Sequence, residues 1–150
     1  GMLWGRTVKD GLDATEALAG MVLGSKFADQ VHLVLIDGLT VGGLNVVDLP
    51  ALADALGVPC AAVMRKPPAI AAFRRVVERL PDAEVRWDRV VRAGPVHERP
   101  PFWFQAAGAA PDDVALALQA VTDTGHVPEP LRLAHLIGAA VVGGASSRRA

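Results

Sequence analysis

The chain has few of the features that mark secreted, membrane-spanning or duplex-binding proteins. It has one cysteine, Cys60, which can form no disulfide within the chain and lies in an apolar run typical of a packed core. No apolar run reaches the ~18 residues of a transmembrane helix, and no signal-peptide pattern is visible. Lys and Arg number 15 against 16 Asp and Glu, so no basic face is evident. We therefore expect a cytoplasmic protein without a membrane partner, in which any nucleic-acid contact is a local patch.

What the chain does have is enough apolar sequence for a core. Its 150 residues are 51% hydrophobic and 21% charged, which favours a folded domain over long disorder. A chain of this length can bury roughly two-thirds of its unfolded surface without disulfides or metals. No linker and no internal repeat is visible. The sequence therefore predicts a single domain over residues 1–150.

The hydrophobic pattern alternates between strands and helices. Asp13 and Glu16 have the spacing of a capping box, while Asp48, Pro50 and Gly57 mark the start and end of a second helix. Residues 82–99 fit neither the helical period of about 3.6 residues nor the strand period of two. The predicted strands are 3–9, 30–37, 60–64 and 102–106, and the predicted helices are 13–25, 48–57, 68–80, 111–122 and 129–142, followed by a frayed basic tail at 146–149. This alternation predicts a three-layer α/β domain with a mostly parallel mixed sheet.

The strand that ends at Asp37 carries the clearest indication of a site. Its apolar run is typical of a strand buried on both faces, and α/β sheets bind ligands at the carboxyl ends of such strands. Asp37 could hold a cation there, or it could organise the Asp37-Gly38 turn through local hydrogen bonds. The loop glycines that follow and Asn45 could cradle a ligand or form an ordinary loop.

Several other polar residues have both a functional and a structural interpretation. Asp10 and Asp13 could add metal ligands, or serve as helix-capping acids with Glu16. Arg65 and Lys66 could hold phosphate at a strand end, or could be solvated charges. Arg132 and His135 share a helix face because they are three residues apart, and His135 could be a general acid, a partner of a metal ligand or a structural histidine.

Four motifs together resemble a known family. They are DGLDATE at residues 10–16, IDGLTVGGLNVVDL at 36–49, RKPP at 65–68 and PEPLRLAHLI at 128–137. The chain resembles the ninety-ninth family in the domain-of-unknown-function series, a largely archaeal group similar to endonuclease V. The resemblance extends over residues 7–149 and implies a ribonuclease H-like, endonuclease V-like fold.

The resemblance also implies roles for particular residues. Asp37 matches the Asp-Gly carboxylate that helps endonuclease V to bind magnesium, and Lys66 or Arg65 lies where a strand-end lysine contacts phosphate. His135 lies near a late-helix histidine. Asp13 and Asp10 are the nearest candidates for a second carboxylate ligand.

One departure from the family pattern bears on catalysis. Relatives begin with a further hairpin whose first strand carries an aspartate, and this chain starts after it. The sheet would then have an open edge, which a homodimer could pair; a misassigned start codon is the alternative explanation for the missing hairpin. Since two-metal cleavage of phosphodiesters needs several carboxylates, the loss of one would weaken the metal site.

Three functions therefore remain open from the sequence. The first is a magnesium-dependent nuclease or phosphodiesterase. Asp37, Asp13 and Asp10 would be its metal ligands, Lys66 and His135 would be catalytic, and Arg65, Asn45 and Arg132 would bind substrate. The second is a non-catalytic module that binds nucleic acid or a protein. The third is another kind of hydrolase acting at the same strand ends.

Overall fold

The structure is a computed structural model that describes residues 1–144. Its regular elements follow one another along the chain as α1 (Ala14–Leu23), a short 3-10 helix (Ala28–Gln30), β1 (Val34–Asp37), β2 (Thr40–Val41), β3 (Asn45–Val46), α2 (Leu49–Leu56), β4 (Cys60–Met64), α3 (Ile70–Val77), α4 (Ala83–Arg92), β5 (His97–Arg99), β6 (Phe102–Ala107), α5 (Pro111–Ala120) and α6 (Glu129–Gly143). The basic tail at 146–149 lies outside the described residues.

Four of these strands form a mixed sheet in the order β1-β4-β6-β5. β1 and β4 are parallel, with Val34 opposite Cys60 and Asp37 opposite Val63. β6 is antiparallel to both β4 and β5, and β2 and β3 form a separate short hairpin. The expected α/β fold with a mixed sheet is confirmed, with its parallel pairing confined to β1 and β4 in the part of the chain described.

The central strand β4 explains how the sheet is covered on both faces. Alternate side chains of a strand point to opposite faces. Cys60 and Ala62 accordingly pack with α1 and α2, whereas Ala61 and Val63 pack with α5 and α6. All four are at most 4% exposed. This arrangement gives three layers, and it explains why β4 reads as an unbroken apolar run. Burial raises the pKa of the Cys60 thiol to about 11, as expected for a core cysteine.

Helix α2 has the caps expected from the sequence. The Asp48 carboxylate accepts a hydrogen bond from the backbone N–H of Ala51 at 3.1 Å, and Pro50 lies in the first turn. Gly57 ends the helix with φ of 66°, a conformation that glycine adopts without steric cost. Asp48 also forms an ion pair with Arg92 of α4 at 2.7 Å. The cap therefore also ties α2 to α4.

Two predicted strands differ from the structure. The strand predicted at residues 3–9 is wrong, because this segment has no sheet partner in the described chain and most of it is exposed. Its Val8 N–H donates instead to the Asp13 carboxylate. The strand predicted at residues 30–37 is shorter than expected and begins at Val34, because residues 28–31 form a hydrogen-bonded turn.

The ambiguous segment 82–99 contains α4 and β5. The sequence does not show the helical period of α4 because one charged residue on this helix is buried and two of its valines are exposed. Arg86 is 3% exposed on the inner face of α4, whereas Val85 and Val91 are 45% and 60% exposed. Binary patterning cannot recognise a helix whose buried stripe contains an arginine.

The strand β1 forms one edge of the four-stranded sheet. Pairing of this edge in a homodimer stays a prediction. Among the helices of residues 1–144, none combines the length and hydrophobicity needed to cross a membrane.

Candidate functional site

A cavity of about 340 Å³ lies at the carboxyl ends of β1 and β4. Because these two strands are parallel, their ends meet at the same edge of the sheet, and the residues that follow them converge. We call this space the Asp37 cavity; its lining is Asp37, Gly38, Val63, Met64, Arg65, Lys66, Pro67, Pro68 and Ala69. Three of the residues expected to act on a ligand, Asp37, Arg65 and Lys66, are therefore brought together.

The Asp37 carboxylate is available for a ligand. Its side chain is exposed, and within residues 1–144 it accepts no hydrogen bond from the protein. The adjacent turn is held by the backbone, since the Gly38 N–H donates to the carbonyl of Val63 at 2.8 Å. Gly38 adopts φ of 78°, which explains the glycine at this position. The turn therefore does not need the Asp37 side chain.

Arg65 and Lys66 give the cavity an excess of positive charge. Both side chains are exposed, and neither forms an ion pair within the described part of the chain. Pro67 and Pro68 follow these two residues and restrict the backbone conformation there. This restriction fixes the direction in which the two side chains leave the end of the strand. Two cationic side chains and one carboxylate in a cavity can hold an anion together with a cation.

Asp10, Asp13 and Asn45 lie together in a different network. The buried Asn45 accepts a hydrogen bond from the Ala14 N–H at 3.1 Å, and its amide donates to Asp13 Oδ1 at 2.7 Å and to the Val8 carbonyl at 3.0 Å. Asp10 accepts from the Leu44 N–H at 2.8 Å. These contacts join the N-terminal segment to the β2–β3 loop. None of the three residues lines the Asp37 cavity.

Asn45 also supplies the cap that α1 needs. Asp13 occupies the N-cap position of α1, as expected, but its side chain makes no capping hydrogen bond there. Asn45 accepts instead from the first helical N–H, that of Ala14, which lies 31 residues earlier in the chain. The capping function predicted for Asp13 is therefore performed by another residue.

The pKa of Asp13 predicts a pH dependence of stability. The hydrogen bond from Asn45, followed by one from the Val8 N–H, holds the pKa of this carboxyl below its usual value. The ionised form therefore stabilises the fold near neutral pH, and this stabilisation is lost as the pH falls through the lowered pKa. We expect Asp13→Asn to unfold at a lower temperature than wild type at about pH 7, with a smaller difference at about pH 3.

Thermal unfolding followed by circular dichroism across this pH range tests the prediction. Asp54→Asn is the matched control, since Asp54 is exposed on α2 and makes no side-chain hydrogen bond within residues 1–144. A difference for Asp13→Asn that stays constant with pH would contradict the assignment.

Arg132 and His135 lie on α6 and do not line the Asp37 cavity. Arg132 is paired with Glu129, to which its Nε donates at 2.7 Å, and this contact lowers the pKa of Glu129. His135 is half-buried and makes no side-chain hydrogen bond in the described residues. Their substrate and catalytic roles stay predictions.

No group of three or more His, Cys, Asp and Glu in residues 1–144 could hold a metal ion. The expected gathering of Asp10 and Asp13 around Asp37 is not found, because both belong to the network that holds the N-terminal segment. Asp37 is the one carboxylate of the cavity.

A second pocket, of about 390 Å³, adjoins the Asp37 cavity and was missed by sequence reasoning. Met64, Pro68 and Ala69 line both spaces. We call this second space the apolar pocket; its other lining residues are Leu39, Thr40, Ile70, Ala72, Phe73, Val76, Val90 and Gln105. Its residues come from seven elements or loops, and no local motif marks such a pocket in the sequence.

The three-layer fold and the charged groups at the ends of β1 and β4 define an α/β domain that can bind a ligand at its strand ends. The chain belongs to the Endonuclease dU family, whose model matches residues 1–142. The resemblance to an endonuclease-related family is thereby confirmed. Its numbered assignment and the absent N-terminal hairpin stay predictions.

Relatives and a solved structure support the same family and fold. A UPF0215 protein of Methanosarcina barkeri is 38% identical over 154 residues, covering 100% of this chain and 79% of its own length. A UPF0215 protein of Methanothermobacter thermautotrophicus is 41% identical over 141 residues, covering 91% of this chain and 69% of its own. The crystal structure of a protein of unknown function from Archaeoglobus fulgidus is similar with a TM-score of 0.92 and 34% identity, covering 95% of this chain and 82% of that one.

Proposed function

We propose that this protein is a magnesium-dependent endonuclease that cleaves a phosphodiester bond of nucleic acid near a deoxyuridine. The observation that carries the proposal is the Asp37 cavity, where one carboxylate that has no hydrogen-bond partner within residues 1–144 faces the same space as Arg65 and Lys66. The description of the family, Endonuclease dU, supports the class of reaction and the modified nucleoside.

Arg65 and Lys66 are suited to hold the phosphate that is cleaved. A guanidinium can donate two parallel hydrogen bonds to phosphate oxygens, and an ammonium adds a compact positive charge. Since both follow the same strand and border one cavity, they can contact the same or neighbouring phosphates. With a net charge of −1 for the whole chain, binding would depend on this local patch.

The donor set of the cavity fits a magnesium ion that is shared with the substrate. Magnesium is commonly held by one or two carboxylates, with substrate phosphate oxygens and waters completing its shell. Asp37 supplies one such carboxylate, and neither of its oxygens is used by the protein in the described chain. When bound, the ion would supply a Lewis acid and a water of lowered pKa.

The roles of the chain's own residues follow from their charges. Asp37 would hold the magnesium ion that is paired with the phosphate. Arg65 and Lys66 position the phosphate and stabilise the negative charge that develops on it. In the hydrolysis, a water oxygen gives up a proton to solvent as it bonds to phosphorus, the ester P–O bond breaks, and the leaving oxygen takes up a proton from solvent. His135 and Arg132 do not line the Asp37 cavity, so neither takes part in this step.

The second candidate is a module that binds nucleic acid without cleaving it. The presence of one carboxylate in the Asp37 cavity favours this alternative, because phosphodiester cleavage by two metals uses several carboxylates. The two candidates share their binding residues and differ only in turnover.

Cleavage of a labelled oligonucleotide with one internal deoxyuridine distinguishes them. We expect one cut near the uracil with magnesium, no cut with EDTA, and no cut in the matching thymidine oligonucleotide. Binding of the uracil strand without cleavage under any divalent ion would instead support the module. Absence of both binding and cleavage would overturn the role of the cavity.

Lys66→Gln should weaken binding through the loss of one phosphate contact. We expect the slope of log Kd against log salt concentration to fall by the amount that one phosphate contact contributes. The affinity at low salt should fall severalfold. Fluorescence anisotropy with a labelled single strand at several salt concentrations measures both. Lys26→Gln is the charge-matched control, because Lys26 is exposed next to Phe27 and outside the Asp37 cavity. Equal slopes for the two variants would rule out a phosphate contact at Lys66.

A further inference from the structure

The apolar pocket adjoins the Asp37 cavity, and this proximity limits what the two spaces can bind together. Met64, Pro68 and Ala69 line both spaces, so a ligand with its phosphate near Lys66 can place its adjoining group in the apolar pocket. At about 390 Å³ the pocket is in the range of small-molecule sites. A nucleotide has this combination of a charged phosphate and a flat, largely apolar base.

Gln105 is the buried polar group of this pocket. It lies on β6 and is 3% exposed. Its Nε2 donates to the carbonyl of Gly94 at 2.7 Å. Since a carbonyl only accepts, this bond fixes which end of the amide is nitrogen. Within residues 1–144 no donor is hydrogen-bonded to Gln105 Oε1, and this oxygen is not sealed from solvent, so it can accept a hydrogen bond from a ligand in the apolar pocket.

The unpaired acceptor selects among bases. A ligand that presents a donor replaces the water at this oxygen with a hydrogen bond, whereas a ligand that presents another acceptor displaces the water and leaves the oxygen unsatisfied. The ring N3–H of uracil is a donor, whereas the ring N3 of cytosine is an acceptor. Phe73, half-buried in the pocket wall, offers an aromatic ring on which a base can stack.

We propose that the apolar pocket binds a nucleobase turned out of its strand, and that Gln105 Oε1 accepts a hydrogen bond from the ring N–H of a uracil-type base. This inference rests on the proposed function, since it assigns the base that belongs to the phosphate in the Asp37 cavity. Turning out a base costs stacking and pairing energy, and the cost is least in a single strand or a mismatch. Thr40 supplies a second polar group in the wall.

Binding in the absence of cleavage tests the pocket separately from the nuclease activity. Dissociation constants are measured in EDTA for two single-stranded oligonucleotides that differ only in one central base, uracil or cytosine. We expect wild type to bind the uracil strand roughly tenfold tighter, the ratio expected for one buried hydrogen bond. A ratio of one in wild type would overturn the proposal whether or not the protein cleaves DNA.

Two variants locate the preference in the pocket. Gln105→Met removes the acceptor at similar volume, and Ala72→Trp places a large side chain at the pocket wall on α3. Both should bring the uracil-to-cytosine ratio close to one. Ala71→Trp is the matched control, because Ala71 is an exposed neighbour on α3 that does not line the pocket.

The outcomes separate the two proposals. If Gln105→Met fails to fold, Ala72→Trp still carries the test, because Ala72 is exposed. An unchanged preference in Ala72→Trp would overturn the pocket while leaving cleavage at the Asp37 cavity intact. A uracil preference that the pocket variants remove, in a protein that never cleaves, would support the pocket and contradict the nuclease.

Discussion

Asp37→Asn is expected to reduce the cleavage of uracil-containing DNA by at least about 100-fold. The amide has the same shape as the carboxylate but lacks its charge, so it can no longer hold a divalent cation against the substrate phosphate. A metal contributes several kcal/mol to the stabilisation of charge in a transition state, and each 1.4 kcal/mol corresponds to about tenfold in rate. Single-turnover cleavage rates at saturating magnesium provide the measurement.

The same substitution should leave the fold nearly unchanged. Asp37 is exposed, and its side chain accepts no hydrogen bond in residues 1–144, so a change of melting temperature of only about 2 °C or less is expected. Any rise in melting temperature of wild type with magnesium should be absent in the variant. Asp54→Asn, a carboxylate on the exposed face of α2, should cleave as wild type does. Full activity in Asp37→Asn would refute the proposed metal ligand.

The part of the site that sequence could predict is the part fixed by one strand and its turn. The apolar run before Asp37 predicted a buried strand, and a carboxylate after such a strand must emerge at the sheet edge. The prolines after Lys66 predicted the end of β4 in the same way. Both interpretations needed only local sequence, and the structure places both residues in one cavity.

The residues that sequence misplaced are governed by distant contacts. Asp13 could be assigned to a helix start, but its hydrogen bond to Asn45 joins residues 32 positions apart. Asn45 was interpreted as a loop residue, whereas it caps α1 from the β2–β3 hairpin. Gln105 gave no signal at all, because its importance depends on the pocket that α3 and α4 build over it. Local patterns carry no information about such pairings.

The second large effect is expected at Arg86, the buried arginine that obscured α4. Its guanidinium donates to backbone carbonyls of three segments: Nη1 to Gly11 at 2.9 Å and to Leu44 at 2.7 Å, and Nε to Pro81 at 3.1 Å. A further bond reaches the carbonyl of Asp10. Arg89, one turn later, donates to two more carbonyls of the same segments. The N-terminal segment and the β2–β3 hairpin are thus held to α4 by arginine.

Arg86→Met should destabilise the fold by roughly 3–5 kcal/mol. The thioether keeps the apolar stem but leaves four partly buried carbonyls without their donor, and each was bound to a charged group. For a domain of this size the melting temperature should fall by roughly 10 °C. Arg86→Lys should recover only part of this loss, because an ammonium has three donors and cannot span the positions that the planar guanidinium reaches.

Urea and thermal unfolding of the three proteins measure the loss, with Arg79→Met as the control. Arg79 is exposed after α3 and forms no ion pair in the described residues, so its replacement should change stability by less than about 0.5 kcal/mol. A loss equally small for Arg86→Met would mean that water replaces the guanidinium at all four carbonyls. The other outcome is a large loss of stability in Arg86→Met that Arg86→Lys does not restore. It would show that the planar guanidinium, and not its charge alone, holds α4 to the N-terminal segment and the β2–β3 hairpin.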